Sequence, residues 1–168
     1  MKARAVALLL VFETMALFLA SHLSLALLGA PMAGLTALVE PRSGFETIAD
    51  ELNRKGVKAL APASIVGKSG VKHDFAFAVV PDSGKVRIVL DTELSVKEVD
   101  EMKVLKFYVK VYDVSPDKAV LCVCPKLATR ASALAREYGI TVLEDDLPKR
   151  LIPLAEKVVT EAMEKGTN

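Results

Sequence analysis

Hydrophobicity in this chain is concentrated at one end, and that constrains its folding more than any other feature. Residues 1–39 carry only Lys2, Arg4 and Glu13 as charges, whereas the other 129 residues carry 40, evenly divided between acids and bases. From Ala5 to Gly29 run 25 residues with Leu at 8, 9, 10, 17, 19, 23, 25, 27 and 28, interrupted by Glu13, Thr14, Ser21, His22 and Ser24. That length spans a bilayer with some tilt. Its Leu, Val and Phe residues favour insertion by roughly 6 kcal/mol, while one central carboxylate costs about 2.5–3.5 kcal/mol and His and the hydroxyls add to the cost. Insertion is therefore marginal. Three readings stay open for residues 5–29: a membrane anchor, a long apolar helix buried in a partner or in a homo-oligomer, and a cleaved signal peptide. The residues around Ala30 and Pro31 make a poor signal cleavage site. Lysine and arginine on both flanks give no orientation.

The remainder reads as an ordinary charged domain, separated from the apolar segment by Gly29, Pro31 and Gly34 and entered at Pro41-Arg42-Ser43-Gly44. Two parts follow: an apolar helical segment, 1–40, and an α/β domain, 43–168, placed in the cytoplasm and tied to the membrane if the first part inserts. Composition excludes a disordered chain, a collagen, a disulfide scaffold and a polytopic membrane protein. Net charge near zero means that any site for a polyanion must be local.

Within that domain, Phe45, Ile48, Ala49 and Leu52 have helical spacing, with Gly56 as the stop. Val57–Leu60 reads as a short strand and 66–72 as a Gly-rich loop. His73–Val80 and Lys85–Glu93 read as two strands joined by Pro81-Asp82-Ser83-Gly84, a hairpin. Ser95-Val96-Lys97-Glu98 reads as a capping box for a helix reaching about Tyr112. Ala119–Cys124 is a buried strand, Lys126–Tyr138 a helix closed by Gly139, Ile140–Leu143 a strand, and Asp146 caps a last helix from Pro148 to about Lys165. Short apolar strands alternating with helices predict parallel neighbours covered on both faces, beside an antiparallel hairpin. The fold class is mixed α/β with an α-β-β-β-α-β core.

The hairpin carries the chemistry. With Asp82-Ser83 at the turn, cross-strand pairing sets Asp74 opposite Asp91 or Thr92, and Asp91 and Glu93 share a face. Three carboxylates converging at one end repel unless a divalent cation, a basic group or a pKa shift relieves them. Oxygen donors of this kind suit Mg²⁺ or Mn²⁺. Beside that reading stands a plainer one, in which Asp74 and Glu93 sit at strand ends in water. Lys103, Lys106 and Lys110 form one stripe on the following helix, suited to a phosphate backbone or simply to solvent. Lys68, Lys72 and His73 flank Asp74.

An Asp on the second strand and an acid-x-acid on the third, in the order α-β-β-β-α-β, resembles the PD-(D/E)XK nuclease-like superfamily. The resemblance covers roughly residues 43–144. It rests on Gly67-Lys68-Ser69-Gly70-Val71-Lys72-His73-Asp74-Phe75, on Val89-Leu90-Asp91-Thr92-Glu93 and on Ala-Arg-Glu-Tyr-Gly-Ile at 135–140. It implies a restriction-endonuclease-like fold, Asp74 and Asp91 as metal-binding acids, Glu46 as the extra helical acid of some members, and metal-dependent phosphodiester hydrolysis of nucleic acid. The family's lysine two residues after the second acid is Glu93 here. The stripe of Lys103, Lys106 and Lys110 is the replacement that the spacing offers.

Other signals fail. Gly67-Lys68-Ser69 lacks the first glycine of a phosphate-binding loop, its place being taken by Pro62. Cys122 and Cys124 share a face of a buried strand and read as reduced core thiols. No Trp and nine aromatics leave little for base stacking, and Phe107, Tyr108 and Tyr112 read as packing residues. Three readings remain: a metal-dependent nuclease, an inactive interaction or scaffold protein held at a membrane or in an oligomer, and a small membrane-anchored protein in which the resemblance is accidental and the carboxylates are surface decoration.

Overall fold

Alternation along two central strands sets the architecture. In the computed structural model, which describes residues 41–164, Ile88, Leu90, Val120 and Cys122 point to one face of a sheet, and Val89, Leu121 and Val123 to the other. All seven are buried, as a sheet covered on both sides requires. Eleven elements are described: α1 (Pro41–Arg54), β1 (Ala59–Leu60), β2 (Ala63–Val66), β3 (Lys72–Phe75), β4 (Phe77–Val79), β5 (Ile88–Leu94), α2 (Glu101–Val114), β6 (Lys118–Cys124), α3 (Thr129–Glu137), β7 (Thr141–Glu144) and α4 (Pro148–Glu164). The readings of residues 5–29 lie outside the described residues. Among the described residues, no helix is long and apolar enough to cross a membrane.

The main sheet has the order β1-β4-β5-β6-β7. Its first two pairings are antiparallel and its last two parallel, so it is mixed, as the sequence pattern predicts. Helices α2 and α3 supply Val104, Phe107, Ala131 and Ala135 to one core. On the opposite face α1 and α4 supply Phe45, Ile48, Leu151, Ala155 and Val159. Each fully buried Leu, Ile or Phe contributes about 1.5–3 kcal/mol relative to exposure. Helix stops fall where glycine was expected, since Gly56 and Gly139 have φ of +79° and +67°.

Strands β2 and β3 form a separate two-stranded sheet, and here the structure corrects the sequence reading. The run 73–80 is not one strand. Phe75 packs with α2 in one core, whereas Phe77 packs against Phe45 of α1 in the other, with ring centroids 6.5 Å apart. Residues two apart in a continuous strand share a face, so burying both rings on opposite faces breaks the strand at Ala76. Before the break β3 pairs with β2, and Asp74 stands opposite Ser64 rather than opposite Asp91 or Thr92. The β4–β5 register, Phe77↔Leu90 through Val79↔Ile88, is also shifted from the expected one. The Gly-rich stretch turns out to be the β2–β3 turn.

Two further boundaries move for the same tertiary reason. Helix α2 starts after Asp100, whose carboxylate accepts from Lys103 N at 3.3 Å, and not at the Ser95 box. Buried Val99 is held in a parallel bridge to Leu127, which keeps 95–99 out of the helix. That bridge and the bond from Leu127 N to Glu144 Oε1, 2.7 Å, also delay α3 to Thr129. Before α4 it is Asp145 that accepts from Leu147 N, at 2.8 Å, instead of Asp146 acting as a cap.

Candidate functional site

A cleft of about 490 Å³ opens where β3 leaves the main sheet, lined by Ser64, Asp74, Phe75, Asp91, Thr92 and Lys110 among others. Asp74 and Asp91 therefore do meet at one site, although by different strand pairing from that expected. Asp91 follows the inward-facing Val89 on β5, which aims its carboxylate at α2. There Lys110 Nζ donates to Asp91 Oδ2 at 2.7 Å and to the Asp74 carbonyl at 2.8 Å. Phe75, edge-on to Phe107, lies beneath the ammonium, 5.3 Å from it. Two turns earlier on α2, Lys103 Nζ donates to Glu93 Oε2 at 2.8 Å, and this bond holds the Lys103 pKa above its usual value.

The stripe predicted on α2 is thus real, and two of its three lysines neutralise two of the three acids. Lys106 is exposed and makes no ion pair among the described residues. Asp74 Oδ1 accepts from the Ser64 hydroxyl at 2.5 Å, and the second Asp91 oxygen accepts from Thr92 N at 3.0 Å. Glu46 is exposed on α1, whose packing face belongs to the opposite core, and it does not line the cleft.

Whether these donors suit Mg²⁺ or Mn²⁺ is decided by their partners. Among the described residues no group of three or more His, Cys, Asp and Glu side chains is placed to hold a metal ion. Of the three carboxylates only Asp74 lacks a cationic partner. The arrangement as it stands does not fit a carboxylate-bound dication. Lysine has relieved the repulsion for which the sequence invited a metal.

A second cluster escaped the sequence reading. Asp113, in the last turn of α2, accepts from the Ser69 hydroxyl at 2.6 Å, from Ser69 N at 2.8 Å and from His73 Nε2 at 2.7 Å. These bonds, the Ser69 hydroxyl's foremost and then that of His73, hold the Asp113 carboxyl down at about 2. An ionised carboxylate only accepts, so Nε2 carries the His73 proton. Asp113 sits between serine and histidine, which leaves the Ser69 hydroxyl with no base; a nucleophilic triad needs histidine in the middle. The cluster is a lock that fastens the β2–β3 turn onto α2. Lys68 takes part in it, its N bonding Asp113 O at 3.0 Å and its ammonium the Ser115 hydroxyl. Lys72 is exposed on β3. No sequence signal joins Asp113 to residues 40 and 44 positions earlier.

Both cysteines are buried, and burial pushes the Cys122 thiol up to about 12 and that of Cys124 in the same direction. Phe107 is core and Tyr108 stacks on Tyr138 with centroids 3.9 Å apart. Tyr112, expected to pack, is instead 72% exposed.

The chain matches no protein-family model and no curated protein. Among solved structures it is similar to a protein of unknown function, at 13% identity over 70% of this chain and 66% of that one, TM-score 0.49. It is similar too to Can2 from Sulfobacillus thermosulfidooxidans in complex with cyclic tetra-adenylate, at 14% identity over 69% and 34%, TM-score 0.48. A third likeness is to a repair endonuclease from Pyrococcus abyssi, at 18% identity over 63% and 47%, TM-score 0.41. The chain spans less than two thirds of the length of each of these proteins. At TM-scores below 0.5 none of them assigns an activity to it.

Proposed function

We propose that this chain carries a nuclease-like domain that is hydrolytically silent and works as an interaction module, with residues 5–29 holding it at a membrane or in a homo-oligomer. Support for the nuclease-like part comes from the acid spacing of Asp74, Asp91 and Glu93 and from the succession α1-β1-β4-β5-α2-β6. One observation carries the silent part: the Lys110 ammonium bonds the Asp91 carboxylate at 2.7 Å and the main-chain carbonyl of Asp74 at 2.8 Å, so a lysine already takes up Asp91 beside Asp74. Hydrolysis by metal needs oxygen donors free to polarise phosphate and to lower the pKa of a water. Here two of the three carboxylates are already neutralised. Of the five lysines expected at a phosphate backbone, Lys68, Lys72 and Lys106 make no ion pair among the described residues, and three lysines give weak, strongly salt-dependent attachment.

A second reading draws on the same lysine. Lys110 stands beside Asp91 as a replacement for the lysine missing at Glu93, and in that role it favours a metal-dependent nuclease with Asp74 and Asp91 as its acids. Cleavage assays decide between the two. The full chain, incubated with single- and double-stranded DNA and with RNA in millimolar Mg²⁺ or Mn²⁺, is expected to cut no faster than its Asp91→Ala variant. Metal-dependent cleavage that both Asp74→Ala and Asp91→Ala abolish would establish the nuclease instead.

A further inference from the structure

A second concavity, of about 670 Å³, lies on the other side of Ser64 among β1, β2, the turn between β4 and β5, and the end of α2. Among the described residues, Lys58, Lys68 and Lys85 line it and no carboxylate does. The Lys68 ammonium is held by a neutral group, the Ser115 hydroxyl. Lys85 pairs with Asp117, which is itself half exposed, and Lys58 is exposed with no side-chain bond among the described residues. Three cations thus face one groove against a single, solvated counter-charge. The groove is apolar between them, with Leu60, Val66 and Val114 on its surface; Val66 is 64% and Leu60 37% exposed. No aromatic side chain among the described residues lines it, so these residues offer nucleic-acid bases nothing to stack on. Strand β1 ends the main sheet and β2 pairs only with β3, so each has an edge without a strand partner among the described residues.

We propose that this groove docks an extended segment of a partner protein in which acidic and aliphatic side chains alternate. In an extended segment successive side chains point opposite ways. One set reaches the lysines while the other covers Leu60 and Val66, and main-chain groups bond to a free strand edge. Charge complementarity selects the acidic set, and burial of the exposed aliphatic surface selects the other. The site rests on the reading of the domain as an interaction module and supplies the chemistry of its partner.

The test uses the full chain and a fluorescent peptide of about ten residues alternating Glu and Val, a length typical of one paired strand. Saturable binding is expected, falling with added salt, with no binding of a Lys/Val counterpart. Lys58→Glu combined with Lys85→Glu should weaken it at least about tenfold, and Val66→Glu should weaken it as well. Urea midpoints near wild type would show that the variants fold; Lys58, exposed and unbonded, keeps the lysine variants informative if Val66→Glu does not. No saturable binding, equal binding of both peptides, indifference to the lysine changes, or groove-dependent binding of single-stranded DNA in place of the peptide would each overturn the proposal. Cleavage of nucleic acid by a chain that still binds the peptide would remove the silent reading and leave the groove. Failure to bind in a chain that does not cleave would remove the groove alone.

Discussion

Single residues decide the chemistry, and Lys110 decides most of it. Its side chain and that of Asp91 are 32% and 23% exposed, against 48% and 26% for Lys103 and Glu93. Truncating Lys110 leaves the more buried of the two carboxylates, that of Asp91, without its cation. Lys110→Ala is therefore expected to cost about 1–2 kcal/mol and Lys103→Ala less than about 1 kcal/mol, read from urea midpoints; equal losses would mean that Lys110 holds nothing in particular. The Asp113 lock makes its own prediction. Its carboxyl titrates at about 2 when folded and at the usual 3.8 when unfolded, so the unfolded chain binds the proton first as pH falls. The stabilisation is fully present above about pH 4 and lost as pH falls towards 2. In a comparison of midpoints between pH 5 and pH 2, Asp113→Asn should lose less stability than wild type, and parallel curves would contradict the assignment. The lysine stripe and the Asp91/Glu93 face were legible because strand and helix periods place such residues without further knowledge. The ties of Asp113 to Ser69 and His73 were not, since a bond across 40 positions exists only after the hairpin docks on α2.

At the level of elements, most of the pattern was readable and most of the errors have one source. Helices α1 and α4 and strands β6 and β7 emerge from apolar periodicity and glycine stops. What failed was continuity: Phe75-Ala76-Phe77 alternates like a single strand, and only the demand of two separate cores for one ring each breaks it. The Ser95 box failed likewise, because burying Val99 outweighed a local capping preference. Docking of the hairpin can be tested at Gly67, where a Cβ would run into the Asp113 carboxylate. Three bonds fix that carboxylate, so Gly67→Ala should destabilise by about 1–3 kcal/mol. It should also cancel most of the acid-dependent difference between wild type and Asp113→Asn. Strand β6 yields a simpler check. Cys122 and Cys124 are the chain's only cysteines, both buried and both raised in pKa. A thiol reagent at neutral pH should label neither quickly in the native chain and both on unfolding; rapid native labelling would mean that the α1/α4 core is open.

For the whole molecule, the two cores on either side of the sheet leave chemistry to the margin where β3 departs from it. There the acids that suggest a nuclease are matched by lysines from α2, and the balanced charge of the domain is repeated locally. Lys110 is proposed to stand beside Asp91 where a metal would otherwise bind. Calorimetric titration of the full chain with Mn²⁺ tests this. No saturable binding is expected in the wild type up to millimolar metal, and Asp91→Asn should behave the same way. Saturable binding of Mn²⁺ that Asp91→Asn abolishes would show that the Asp91–Lys110 pair opens to a metal and that lysine does not replace it.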